Sequence, residues 1–420
     1  MTGSGEEGGG ASARLILLTL LAAWLGWGFD VFDGLLFSYV GPPTLHALVP
    51  GASSVEVTAW LGRLNAVFLV GWGAGGILFG RFTDRFGRTR TLLATMLLYA
   101  FATAACAACR SLPPFIACRV LASLGIGGEW AAGAALVAEV VSEGARPIAG
   151  ALLYTASPAG MFVASKVTRF VVEGTFAKDP DGWRWAFLLG LVPAVFAFAI
   201  RALVEEPGRW KEHRAEPARL AELFAPALRR RTVTGLLVAA VALVGWWGIL
   251  SFIPKLARQW CVEAQVADVA ARVDGANDGF ILGGIVGTLL TVPLAMYAGR
   301  KITFALYFVG ALAASWVAFG MSLPLDSRLR ALFLVGLTVF GVFGLFPFWL
   351  PELFPTRLRG TGSGFCYNTG RFVTAGLVYG VAELQGRVGL TRSVLAVSGV
   401  YVVGLLVLPF AVETKGQAFE

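Results

Sequence analysis

The stretch Gly80-Arg-Phe-Thr-Asp84-Arg85-Phe-Gly87-Arg88 closes one apolar segment and opens the next. Its Gly-Arg step returns 212 residues later as Gly299-Arg300-Lys301, this time without the aspartate. A second stretch, Glu139-Val-Val-Ser-Glu-Gly-Ala-Arg146, returns 213 residues later as Glu352-Leu-Phe-Pro-Thr-Arg-Leu-Arg359, with the same interval from glutamate to arginine. Two matches at nearly one offset, close to half of the 420 residues, indicate an internal duplication.

The duplicated material is membrane-spanning by composition. The chain is 57% hydrophobic and 14% charged, with a mean hydropathy of +0.72; soluble proteins carry about 25% charged residues. Twelve apolar stretches are long enough to span a bilayer: 15–39, 57–80, 89–109, 113–141, 145–172, 183–204, 232–256, 277–298, 301–323, 328–350, 360–384 and 391–412. The reading is an all-α polytopic membrane protein with twelve transmembrane helices in two pseudo-symmetric six-helix halves. It comprises a disordered tail (1–14), a first half (15–204), a charged central loop (205–231), a second half (232–412) and a tail (413–420). With the N-terminus inside, cytoplasmic segments collect about nineteen Lys and Arg against about ten outside. Both termini are therefore expected in the cytoplasm, with the protein in the cell membrane.

That bias accounts for the net charge of +8 without nucleic acid. Met1–Ala13 lacks the basic start and cleavage pattern of a signal peptide. Cys106-Ala-Ala-Cys109 has no His or second Cys pair near it in sequence and reads as small buried thiols. No metal or cofactor is expected.

The motifs resemble the major facilitator superfamily. Gly80 to Arg88 looks like its loop between the second and third spans, and Arg119 with Gly125-Ile-Gly127-Gly128-Glu129 resembles its span-four motif. Pro351-Glu-Leu-Phe-Pro-Thr-Arg357-Leu-Arg359-Gly-Thr-Gly362 is similar to the loop before span eleven in sugar, sialic acid and organic acid carriers. Gly128-Glu129-Trp130 and Cys366-Tyr367-Asn368-Thr-Gly370-Arg371 look most like the proton-coupled branches for aromatic acids, sialic acid and other metabolites. Asp30-Val-Phe-Asp33 departs from the Asp-Gly-Phe-Asp usual in the aromatic-acid branch.

Three sets of residues follow. Asp30 and Asp33 share one helical face, and with Glu129 they are the acids deepest in the spans; such groups mark ion routes and are candidates for proton coupling. Arg371, with Tyr367 and Asn368 on its face, offers a planar fork for a carboxylate, and Trp27 and Trp247 supply aromatic walls. Asp84, Arg85, Gly87, Arg88, Glu139, Arg146, Glu352, Arg357 and Arg359 form a candidate cytoplasmic gate, in which Asp84 docks on the N-terminus of span eleven at Gly360–Gly362.

The expected function is secondary transport of a small organic anion with protons by alternating access; a monomer supplies both halves. A proton-coupled sugar or polyol carrier is the nearest alternative, and a nutrient receptor without turnover is a third. No nucleophile–base pair, metal cluster or phosphate loop suggests an enzyme.

Overall fold

The structure is a computed structural model that describes residues 13–168, 170, 179, 181–196 and 219–416. Parts of both expected tails and of the central loop lie outside the described residues. The described chain is helical throughout: α1 (Ala13–Leu48), α2 (Ser54–Phe86), α3 (Arg88–Cys106), α4 (Leu112–Val140), α5 (Arg146–Tyr154), α6 (Ala156–Thr168) and α7 (Gly182–Leu188) precede the central loop. After it come α8 (Pro226–Leu250), α9 (Ile253–Glu263), α10 (Val269–Tyr297), α11 (Arg300–Ser315), α12 (Leu325–Gly341), α13 (Phe346–Glu352), α14 (Arg359–Val388), α15 (Leu390–Ser398) and α16 (Val400–Val407).

Proline sets several of these boundaries. Pro158 cannot donate to Tyr154, the last residue of α5, and Pro254 cannot donate to Leu250, the last of α8. Each break interrupts a span without ending it, since residues 146–167 and 226–263 each form one membrane-length helical segment across it. At the start of α2, Ser53 and Glu56 form a capping box.

Among the described residues, ten segments are long and apolar enough to cross a membrane. Two of the twelve stretches read from sequence do not qualify. The sixth is the shorter apolar helix Gly182–Phe196, beyond which the chain leaves the described residues. The eleventh is α14, whose 30 residues are ample in length but too polar. Its Thr361, Ser363, Asn368, Arg371 and Thr374 are buried inside the bundle rather than offered to lipid.

The duplication is visible in the packing. A Cβ on Gly75 of α2 would lie 2.0 Å from the Leu124 carbonyl of α4. The corresponding Cβ on Gly287 of α10 would lie 1.9 Å from the Leu337 carbonyl of α12. These pairs stand 212 and 213 residues apart, the offsets of the loop motifs. Bare backbones therefore touch at equivalent places in both halves, as small-residue packing in membranes requires. The motif itself repeats in three dimensions: Gly87 (φ 115°) and Gly299 (φ 87°) turn the chain before α3 and α11. Just beyond them, Arg88 donates to the Thr83 carbonyl (2.9 Å) and Arg300 to the Ala295 carbonyl (3.3 Å).

The halves meet along two related seams, α2 against α14 and α5–α6 against α10. One hydrophobic cluster crosses between them, joining Trp27, Trp130 and Tyr154 of the first half to Trp246, Phe343 and Tyr367 of the second.

Candidate substrate and proton site

Along α1, Asp30 and Asp33 are each 1% exposed, yet their surroundings differ. Asp33 is held by Arg119 of α4 at 3.2 Å and accepts from the Thr103 hydroxyl of α3. Arg119 in turn lies 4.4 Å from the centre of the Phe68 ring, so the pair is sealed by apolar walls. Asp30 instead faces Glu129 of α4, with Asp33 and Arg371 as further charged neighbours; the Tyr99 hydroxyl of α3 lies against Glu129. Neither Asp30 nor Glu129 has a cation within ion-pair distance among the described residues, and Asp30 Oδ1 and both Glu129 oxygens lack hydrogen-bond partners. Room for the Glu129 carboxyl comes from Gly26, where a Cβ would sit 1.7 Å from Glu129 Oε1.

Arg371 of α14 is 4% exposed. Its Nη1 donates to the Asn368 side-chain oxygen one turn earlier, while Asn368 donates to the Gly364 carbonyl at 2.8 Å. The guanidinium lies 4.4 Å from the Trp72 ring centre and 4.9 Å from that of Tyr367, within cation–π range of both. Its Nε has no partner, and no carboxylate approaches within ion-pair distance among the described residues. This close approach of α14 to α2 depends on Gly76, where a Cβ would lie 1.9 Å from Asn368 Nδ2.

Rings from both halves close around this arginine. Tyr367 stacks on Trp130 at 4.0 Å and 13° between planes. Trp27 meets Trp130 and Tyr154 edge-on at 6.1 and 4.7 Å, and Tyr154 stacks on Phe343 at 5.4 Å. Trp247 meets Trp72 at 6.2 Å and Trp246 at 4.9 Å. The indole N–H groups of Trp72, Trp130 and Trp246 are buried without acceptors among the described residues. The cluster is therefore rich in unused donors.

At one end of the bundle, Asp84 accepts from the backbone N–H of Gly360 (3.1 Å) and Thr361 (2.6 Å) at the start of α14. Arg88 lies 3.1 Å from the same carboxylate and donates to the Thr356 carbonyl at 3.0 Å, tying the loop before α14 to the first half. Gly80 and Gly360 allow this contact, since a Cβ on either would lie 2.7 Å from the other's carbonyl. Glu352 takes both oxygens to Arg300, at 2.9 and 3.2 Å, and so fastens the second half internally. Arg357 pairs with Glu222, whose pKa is lowered by that hydrogen bond. Glu413 accepts from the N–H groups of Arg300 and Lys301 at 3.0 Å each. Burial opposes ionisation there, but these N–H groups outweigh it and hold the Glu413 carboxyl below its usual pKa. Toward the opposite end, Lys166 of α6 and Asp278 of α10 pair across the halves at 3.1 Å.

The sequence-derived sets thus fall into place unevenly. Arg371, Tyr367, Asn368, Trp27 and Trp247 belong to one aromatic region, and Asp30, Asp33 and Glu129 to one acidic region beside it. Arg146 and Arg359 are buried, Arg85 is exposed, and the Glu139 side chain lies outside the described residues. Sequence reasoning missed Trp72, Trp130, Tyr154 and Phe343 as walls, Thr103 as the hydrogen-bond partner of Asp33 and Tyr99 as a neighbour of Glu129. One signal was available: Gly71-Trp72-Gly73 repeats the pattern of Gly26-Trp27-Gly28, an indole flanked by glycines in a spanning helix.

The sequence profile described as the Major Facilitator Superfamily matches residues 16–379. A probable 4-methylmuconolactone transporter of Cupriavidus pinatubonensis is 32% identical over 96% of this chain and 92% of its own. The sialic acid transporter NanX of Escherichia coli is 26% identical over 96% and 95%. Among solved structures, the proton:xylose symporter XylE superposes with a TM-score of 0.82 at 18% identity, covering 96% of this chain and 98% of the other. That last likeness concerns the fold. Together these findings place the chain in the major facilitator superfamily, as a multi-pass membrane transporter of a small organic solute and not an enzyme.

Proposed function

We propose that the protein is a proton-coupled symporter of a small, flat organic carboxylate, working by alternating access. In this reading two six-helix halves, 15–204 and 232–412, make up twelve spans and rock about the Arg371 region, with the tails and the 205–231 loop in the cytoplasm. The observation that carries the substrate class is the state of Arg371. It is a buried guanidinium stacked on two rings, with an open Nε and, among the described residues, no carboxylate within ion-pair distance. A buried cation without an anion is costly, and a substrate carboxylate would relieve that cost through the planar fork. The unused indole donors of Trp72, Trp130 and Trp246 favour a ligand rich in acceptors, and the stacked rings favour a planar one. A polyol would also need acceptors from the wall, which indoles and a guanidinium do not supply.

The proton belongs with Asp30 and Glu129. Two adjacent buried carboxyl groups with no cation in ion-pair distance among the described residues do not both carry charge, so at least one holds a proton. Asp33 plays a different part, as the fixed partner of Arg119. Release of the shared proton needs the pair to meet water or a cation, which opening of the central region would provide. Asp84 serves as the latch at the α14 end: its bonds to Gly360 and Thr361 exist only while α2 and α14 are together.

Binding is the direct test. Trp72 and Trp130 lie against the Arg371–Tyr367 unit, so ligand entry should change tryptophan emission. We expect cis,cis-muconate or 4-hydroxybenzoate to change it in the wild type and not in Arg371→Ala. Xylose should do nothing. A response to xylose that survives Arg371→Ala would reject the carboxylate reading.

A further inference from the structure

Three of the five cysteines come together where α3 ends and α4 begins, at the end of these helices away from Arg88 and the Asp84 latch. Cys106 closes α3, Cys109 follows in the turn, and Cys118 sits in the second turn of α4. All three belong to the apolar cluster formed by Phe115, Ile116, Trp183 and Phe187. Cys118 lies within side-chain contact of both Cys106 and Cys109. Cys106 is fully buried, Cys109 is 7% exposed, and Cys118 is partly exposed, so an outside reagent meets Cys118 first. The Cys106 and Cys109 thiols also rest on the carbonyls of Ala102 and Ala105, weak contacts of 3.5 Å each. Cys261 and Cys366 belong to another cluster. None of the three thiols takes part in the transport reading above.

We propose that Cys118 and its two neighbours form a dithiol–disulfide site, in which Cys118 is the entry sulfur and Cys109 or Cys106 closes the bond. The oxidant is an external disulfide. The Cys118 thiol loses its proton and attacks one sulfur of that disulfide; the old S–S bond breaks and the first small thiol leaves with the proton. The second cysteine then loses its proton and attacks the Cys118 sulfur, expelling the second small thiol. Two protein thiols are oxidised and one external disulfide is reduced to two thiols, so electrons and protons balance. The product ties the end of α3, or the turn after it, to α4 at a sensitive place. Thr103, one turn before Cys106, and Arg119, next to Cys118, are the two groups that hold Asp33.

The test uses the full-length protein in detergent with excess glutathione disulfide, followed by denaturation, alkylation and mass mapping. The expected result is the loss of two alkylatable thiols out of five, with the new bond joining Cys118 to Cys109 or Cys106. Reduction should restore all of them. Cys118→Ser should keep its remaining thiols alkylatable after the same treatment, and Cys118→Ala provides a second variant should serine disturb the fold. Unchanged alkylation in the wild type would overturn the proposal. So would a glutathione adduct that stays on Cys118, or two thiols still lost without Cys118.

Discussion

In the first half, α1, α3 and α4 enclose Asp30, Asp33, Arg119 and Glu129. In the second, residues 232–254 and 331–351, which make up most of α8, α12 and α13, contain no Asp, Glu, Lys or Arg at all. Elsewhere the halves agree closely. Gly75 and Gly287 make equivalent backbone contacts, and Arg88 and Arg300 cap equivalent carbonyls. The membrane favours these shared features in both parts of the chain, since backbones must pack closely and chain reversals must satisfy their polar groups. Buried charge is expensive, and it is present where one half needs it. In the proposed mechanism the first half carries acids for a proton, and the second contributes Arg371, at mid-helix in α14, for the anion.

This asymmetry can be broken in several places, and the largest effect is expected at the acids without a cation. Asp30→Asn and Glu129→Gln should each abolish accumulation against a gradient and the dependence of uptake on a proton gradient, while exchange of labelled substrate continues. Asp33→Asn should behave differently. It leaves Arg119 buried and alone, and breaking a buried pair costs about 3–5 kcal/mol, so thermal unfolding should fall well below that of the other two variants. Equal melting temperatures and equal coupling defects in all three would erase the distinction between the pair and the fixed ion pair.

The next largest effect is at Arg371. Losing a buried charged contact costs about 2–5 kcal/mol, so Arg371→Ala should raise the Kd for a carboxylate roughly a hundredfold. Arg371→Lys keeps the charge but not the fork and should fall between; equal affinity would show that charge alone suffices. At Asp84 the stake is smaller. A carboxylate at a helix N-terminus contributes up to about 2 kcal/mol when partly buried. Asp84→Asn should shift the balance toward opening at that end by about tenfold, measurable as faster cysteine labelling of the α2–α14 seam. The smallest effect is at Glu413, whose pKa is held below its unfolded value. Its stabilisation is present above the ordinary glutamate pKa and fades as pH falls through the folded value. Glu413→Gln should therefore lower Tm modestly near neutral pH, with the difference vanishing in acid.

Much of this was legible in the sequence because duplication leaves a fixed offset. The motifs after α2 and α4 announced the repeated packing, and the glycines of α2 announced its close contacts. The helical period placed Tyr367 and Asn368 with Arg371, and the structure puts one beneath the guanidinium and the other in hydrogen bond with it. The stretch 360–384 counts with the apolar ones in the sequence, yet as α14 it is too polar to qualify beside the ten clear segments, because its Asn368, Arg371 and hydroxyls are buried in the bundle interior. The aromatic walls were harder to read. Trp130 and Tyr154 are ordinary interfacial residues by type, and only the approach of the two halves brings Trp130 onto Tyr367 and Tyr154 onto Phe343. Nor does spacing along α1 reveal that Asp33 finds a cation while Asp30, one turn earlier, finds another acid.

The most direct test of the central claim is lumen acidification in proteoliposomes carrying a pH dye, with protein-free vesicles correcting for passive acid entry. Cis,cis-muconate, 4-hydroxybenzoate, sialic acid and xylose would be offered separately. Acidification is expected with one of the acids, lost in Arg371→Ala and in Glu129→Gln, with no response to xylose. Acidification driven by xylose, or by an acid with Arg371→Ala unimpaired, would contradict it.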